Sequence, residues 1–297
     1  MLSLHTNSAS LAAQNAISMT QKSLSTSQTR LSTGYRVNSS MDDAAGLQIA
    51  TRLKAQTSGM AVAMRNTQNS ISMMQTAEGA LQETTNILTR MKDLATQAAD
   101  GSSTATDQTA IQSEYDTLSD QLGNIISNTT FGGTKLLNNT SGTFAVAGGV
   151  KFQIGSSSSE TTTVDLSTQM STATGLDGAL TAVSARYNGS GTVSTTAGTE
   201  MTAAGGANAE IDKLSTAIDA VSTVKSALGA ASNSLDHVYN NLSNISTNTQ
   251  AATGRLVDVD FAAESSNMTQ SQMLLQAGTA MLKQSNSISS LVISLLQ

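Results

Sequence analysis

The residues that could do chemistry are few and scattered. The chain holds two histidines, His5 and His237, in unrelated segments, and no cysteine. No HExxH pair occurs, and neither histidine has a neighbour spaced for a triad or a metal site. Both read as surface or packing residues. Asp42 and Asp43 form a carboxylate pair that could serve as acid and base. The positive end of a helix starting beside them accounts for the pair more simply. Asp258, Asp260 and Glu264 hint at a cation site, but the spacing and glycine of an EF-hand loop are missing, so they read as joint and helix-start residues. "FGGTK" at 131–135 lacks the GK[ST] order of a phosphate loop. Sequons such as Asn188-Gly189-Ser190 are expected by chance in a chain this rich in Asn, Ser and Thr. No catalytic constellation emerges, so neither enzyme activity nor a cofactor is expected.

The composition points instead to packing. Charged residues make up 12% of 297, about half the usual ~25%. Aromatics are 3%, and there is no Trp and no Pro. Few large side chains make a compact core hard to build, whereas long helices side by side remain feasible, and no proline interrupts them. The net charge of −6 argues against nucleic-acid binding. No apolar run approaches the ~20 residues of a membrane span, so no membrane insertion is expected. Residues 1–21 carry no Lys or Arg for the charged start of a secretory signal, which leaves retention in the cell or a signal-free export route.

Heptads dominate both ends. Leu4 and Leu11 are seven apart, as are Ile17, Leu24 and Leu31; Asn7, Gln14, Gln21 and Gln28 repeat beside them. At the other end Leu274, Met281, Ile288 and Leu295 form a ladder, with Leu275, Leu282 and Leu296 one residue behind. These are seam-forming helices. After Glu264 only Lys283 is ionised. A helix exposed to water would carry a charged outer face, so both faces are expected to be covered, largely by other chains.

Between the ends lie two rods. Ser40 as N-cap with Asp43 three residues on would open the first. Leu53, Met60, Thr67, Met74, Leu81, Leu88 and Ala95 hold its register, giving a rod of about 80 Å. A helix over about 107–127 follows, with Ile111, Leu118 and Ile125 in register. Alternation through Phe144, Val146, Gly148-Gly149, Val150, Phe152 and Ile154 reads as a β-hairpin. Leu214, Val221, Leu228, Leu235 and Leu242 mark the second rod, suited to antiparallel packing on the first.

The expected fold is mainly α: long antiparallel helical rods with a small β-hairpin region and paired terminal helices. Residues 1–33 and 265–297 would form a terminal coiled-coil domain, with joints at 34–42 and 259–264. Residues 43–170 and 207–258 would form a helical bundle with the hairpin, and 171–206 a short variable insertion, too short to fold alone.

Three stretches, "RLSTGYRVNSSMDDAAGLQIA", "ALGAASNSLDHVYNNLSN" and "SNMTQSQMLLQAGTAMLKQSN", closely resemble the terminal regions of bacterial flagellins, over roughly 1–140 and 210–297. The resemblance implies an extracellular filament subunit for motility. It would be exported unfolded through the type III channel, with chaperone, cap and junction proteins as partners beside the homopolymer itself. The paired terminal helices would form the inner tube (D0) and the long helices the next shell (D1). It also implies recognition by the host Toll-like receptor for flagellin through positions that match Arg90, Leu94 and Glu114 in "TRMKDLATQ" and "IQSEYD". Leu295 and Leu296 match positions read by intracellular innate sensors. In such a filament Asn7, Gln14, Gln21 and Gln28 would line the export channel or bond across subunit contacts. A hook-filament junction protein and a soluble coiled-coil module remain as alternatives.

Overall fold

In the computed structural model, residues 7–173, 175–188, 194 and 197–295 are described, with the side chains of 288–295 left aside. The chain divides into two compact units, Met1–Thr57 with Thr247–Gln297, and Ser58–Ser246. Seven helices and two small two-stranded sheets occur among the described residues, and the fold is mainly α.

The first unit is built on helices α1 (Ser8–Thr33) and α7 (Phe261–Leu295). Asn7 caps α1, its Oδ1 accepting the Ser10 N–H at 3.1 Å. Gly34 ends it in the left-handed region at φ 75°, where a side chain would be strained. Tyr35 then pairs with Asp258 across an antiparallel bridge. The Arg36 N–H donates to the Val257 carbonyl at 2.6 Å and the Val259 N–H to that of Gly34 at 3.0 Å. The two joints thus form one small backbone ladder. Helix α2 (Ala44–Ala98) begins here. Its cap is Asp43, not Ser40: the Asp43 Oδ1 accepts the Gly46 N–H at 2.8 Å, while Ser40 is exposed. Asp42 is free to bind the incoming loop and accepts the backbone N–H groups of Ser39 at 2.9 Å and Asn38 at 3.1 Å. Those bonds hold its carboxyl below the usual range, the Ser39 contact most of all.

The second unit is a helical bundle. The heptad positions of α2 from Met60 to Ala95 are all buried, as are Leu214 to Leu242 on helix α6 (Gly206–Val257). Lys225 Nζ donates to Gln82 Oε1, and Ser232 Oγ to Met74 Sδ at 3.5 Å, so the rods run antiparallel here. Helix α3 (Ala105–Asn128) opens on a complete capping box between Thr104 and Asp107. Its buried stripe is Ile111, Tyr115, Leu122 and Ile126, rotated from the expected one so that Leu118 and Ile125 flank the core.

One expectation, the hairpin over 144–154, fails in this unit. Val150–Ile154 forms β3 (Val150–Gln153), but its partner is β4 (Thr161–Val164), in the register Val150↔Val164. Residues 143–145 make a 3₁₀ turn that buries Phe144. The Phe144 N–H bonds the Leu136 carbonyl at 3.2 Å, which removes it from any sheet. "FGGTK" is itself a tight hairpin, β1 (Thr130–Phe131) against β2 (Thr134–Lys135). Gly132 and Gly133 both take positive φ, 58° and 85°, as a two-residue hairpin turn requires. A short helix α4 (Ser167–Met170) follows.

Residues 171–206 are not a bare loop. They contain helix α5 (Leu176–Val183), whose Leu176, Leu180 and Val183 join the core together with Tyr187 and Met201. Polar ties fasten the segment to α3. Arg186 grips Asp120 at 2.7 and 2.8 Å, and Gln112 Nε2 donates to Glu200 Oε2 at 2.8 Å. The Met201 N–H donates to Gln112 Oε1 at 2.7 Å. A few apolar residues in a Ser- and Thr-rich stretch are enough because the bundle supplies the rest of the core.

Candidate assembly surface

The terminal pair α1–α7 is closed by a seam in which large apolar residues mix with small and polar ones. On α1 the inward positions are Ser10, Ala13, Ile17, Thr20, Leu24, Ser27 and Leu31, at alternating spacings of three and four. On α7 they are Glu264, Met268, Ser271, Leu275, Gly278, Leu282 and Ser285. Gly278 admits Ile17: a Cβ there would lie 2.9 Å from Ile17 Cγ1, so even an alanine would force the Ile17 side chain or a helix to shift. Near the far end Asn7 Nδ2 donates to the Ser285 carbonyl at 3.3 Å and Ser10 Oγ to Asn286 Oδ1 at 3.2 Å. Near the joint Ser27 Oγ donates to Glu264 Oε1 at 2.6 Å, and Arg30 stands 3.7 Å from Glu264 Oε2. Glu264 is buried, and a buried carboxylate is tolerated only with such partners.

This geometry divides the expected self-assembly residues into two sets. Ile17, Leu24 and Leu31 face the seam within the chain, with Leu275 and Leu282 opposite. Leu11, Leu274 and Met281 point away from it and are 55%, 54% and 67% exposed. Leu4 and Leu296, and the side chains of Ile288 and Leu295, lie outside the described residues. Met19, Met41, Met273, Tyr35 and Phe261 are also exposed in this unit; heptad counting missed them because they sit off the ladder. Of the polar stripe, Gln14, Gln21 and Gln28 are exposed, whereas Asn7 is tied to α7. The cluster of buried Ser27 and Glu264 with half-buried Arg30 was also missed, although the one acid among uncharged heptads marks it.

Arg90 and Glu114 meet on the second unit. Arg90 Nε and Nη2 donate to Glu114 Oε1 at 3.0 and 2.6 Å, and both side chains are about half exposed. Leu94 does not join them at the surface: it is 2% exposed and belongs to the core. Among the described residues no three His, Asp or Glu side chains gather as a metal site, and no helix is long and apolar enough to cross a membrane.

The helical pair at the termini, the helical bundle and the small sheets define a class of long-helix proteins. The bacterial flagellin N-terminal helical region matches residues 4–142, and the bacterial flagellin C-terminal helical region matches 211–296. Together they take in well over half of the chain, which therefore belongs to the bacterial flagellin family. Flagellin C of Vibrio cholerae is 48% identical over 159 residues, 54% of this chain and 41% of that one. B-type flagellin of Pseudomonas aeruginosa is 47% identical over 175 residues, 59% of this chain and 34% of the relative. The chain thus matches less than half the length of these relatives. The crystal structure of Bacillus cereus flagellin is 32% identical with a TM-score of 0.47, covering 64% of this chain and 94% of that one. A putative flagellar hook-associated protein from Vibrio parahaemolyticus shares the fold, with a TM-score of 0.57 at 16% identity over 73% of this chain and all of that one.

Proposed function

We propose that the chain is a structural subunit that polymerises with copies of itself into the extracellular bacterial flagellar filament used for motility, and is not an enzyme. The observation that carries this reading is the terminal unit. Its two helices close on each other along a mixed apolar and polar seam and leave Leu11, Met19, Met273, Leu274 and Met281 open. Large apolar side chains left exposed along both helices fit an interaction surface, and in this family the occupant is a second copy of the chain. The proposal extends, by likeness to the family, to export in an unfolded state with a chaperone and growth beneath a cap. It extends likewise to contact with the Toll-like receptor for flagellin, for which Arg90 and Glu114 offer an accessible charge pair and Leu94 lies in the core. The proposed domain scheme is the family's, with the terminal pair as D0 and the bundle as D1.

Seeding purified chain with filament fragments tests the reading. The full chain is expected to elongate the seeds. Removing about 25 residues from either end is expected to abolish elongation while the second unit keeps its helical circular dichroism. Regular filaments from truncated chain would refute the proposal. The likeness in fold to a hook-associated protein supports a second reading, a junction subunit between hook and filament. Subunit copy number in sheared filaments separates the two, since a junction protein is present only at one end.

A further inference from the structure

The chain has 13 methionines and neither cysteine nor tryptophan, so thioethers are its most readily oxidised side chains. They are sorted by unit. Met60, Met73, Met74, Met91, Met170 and Met201 are buried, and all six lie in the bundle unit. Met19, Met41, Met273 and Met281 are 74%, 96%, 60% and 67% exposed, and all four lie in the terminal unit. Met19 is on α1, Met41 in the joint, and Met273 and Met281 on α7, the last two beside exposed Leu274.

We infer that Met19, Met41, Met273 and Met281 form an oxidation-sensitive set through which peroxide-class oxidants block incorporation of the free subunit. This rests on the assembly reading above. A thioether sulfur attacks one peroxide oxygen, the O–O bond breaks, an S=O bond forms, and the departing hydroxide takes up the proton to leave as water. Sulfur loses two electrons and peroxide gains them. The product is polar, and a sulfoxide oxygen carried into an apolar contact without a donor is costly. The core methionines are shielded, so the bundle keeps its fold. Once incorporated, the same thioethers are covered, which makes the set sensitive before assembly and protected after it.

The test treats full-length monomer with graded hydrogen peroxide, maps sulfoxides by peptide mass spectrometry, and measures elongation of seeds. The four exposed methionines are expected to oxidise first. The monomer concentration needed for elongation is then expected to rise about tenfold or more, the order set by losing burial of a single apolar side chain per contact. Methionine sulfoxide reductases acting on the oxidised monomer should restore elongation. The combined M19L, M41L, M273L and M281L variant should elongate after peroxide as before it. Equal elongation with all four oxidised, earlier oxidation of the bundle methionines, or failure of the reductases to restore elongation overturns the inference. If the leucine variant cannot elongate even untreated, reductase rescue of the parent chain decides. Untreated parent chain that fails to elongate seeds overturns the assembly reading instead.

Discussion

At the scale of single residues, Arg90, Leu94 and Glu114 stand in one short patch but do different work. Leu94→Ala removes a fully packed side chain from the bundle core and is expected to cost about 2–5 kcal/mol. Arg90→Ala breaks a half-exposed ion pair and is expected to cost less than about 1 kcal/mol. Urea titration of the two variants checks this. Comparable losses would mean that Leu94 is not held in the core as it stands here. Loss of receptor activation in the leucine variant should accordingly be read only where the variant is still folded, whereas loss in the arginine variant reports contact. Glu264→Ala makes the corresponding point in the terminal pair. It strands the Ser27 hydroxyl and the Arg30 guanidinium, whose Nε is already buried without a partner. The expected cost is about 1–3 kcal/mol, seen as faster amide exchange along α1 and α7 with no change in the bundle. Such roles were only half legible beforehand. Residue type marked Arg90 and Glu114 as charged and Leu94 as apolar, but only the packing shows that the leucine is turned inward.

At the scale of elements, the bundle carries two buried acids whose energetics run against the usual direction. Burial raises the carboxyl of Glu210 above its ordinary value, with Lys213 and the Tyr115 hydroxyl only partly offsetting it. Burial likewise raises Asp177, against the bond that the Tyr187 hydroxyl donates to it at 2.9 Å. A carboxyl with a folded pKa above its unfolded value holds its proton more tightly when folded. Stability therefore falls as pH rises from the unfolded value of about 4 through the raised one, and recovers on acidification. Asp42, Asp107 and Asp165 are shifted downward by hydrogen bonds and act oppositely, but only below the ordinary carboxylate range. The unit is thus expected to gain stability as pH falls from 7 toward the unfolded carboxyl value of about 4. Tyrosine fluorescence reports it, since Tyr115 and Tyr187 are buried there and no Trp interferes. Glu210→Gln should flatten the gain; a parent chain that instead loses stability over this range sinks the argument. The rods were legible because a heptad repeated six times leaves little choice of face. The hairpin was not, because β4 is a run of Thr in a Ser- and Thr-rich background, and alternation alone could not tell Phe144 in a 3₁₀ turn from Phe144 in a strand. Helix α5 was hidden for the same reason: its eight residues bury only against a core shared with the rest of the bundle.

At the scale of the whole molecule, the repeat of Leu and Ile along the terminal helices showed that they seek partners, but not which partners. The structure apportions them: one stripe closes the pair within the chain, and another stays open for neighbours. Periodicity cannot make that division, because both stripes carry the same residue types at the same spacing. The polar stripe of α1 poses the remaining question. Gln14, Gln21 and Gln28 are exposed on the isolated chain, and a filament can place them in either of two environments. A neutral stripe facing a central channel would neither bind charged segments of unfolded cargo strongly nor offer them an apolar trap. The same amides buried between subunits would instead need hydrogen-bond partners from a neighbour. Changing Gln14 and Gln21 together to Leu distinguishes these environments. If they line the channel, purified monomer should elongate seeds at close to the parent rate, while export from cells slows because the channel wall has become adhesive. If they lie in contacts, each substitution strands an amide partner at a cost of about 1–3 kcal/mol. Elongation in vitro should then fail first, and cells should still export the variant. Seeded elongation and the amount of subunit released into the medium, measured on the same variant, give the two outcomes opposite signs. Failed elongation with normal export is the result that removes the channel-lining role.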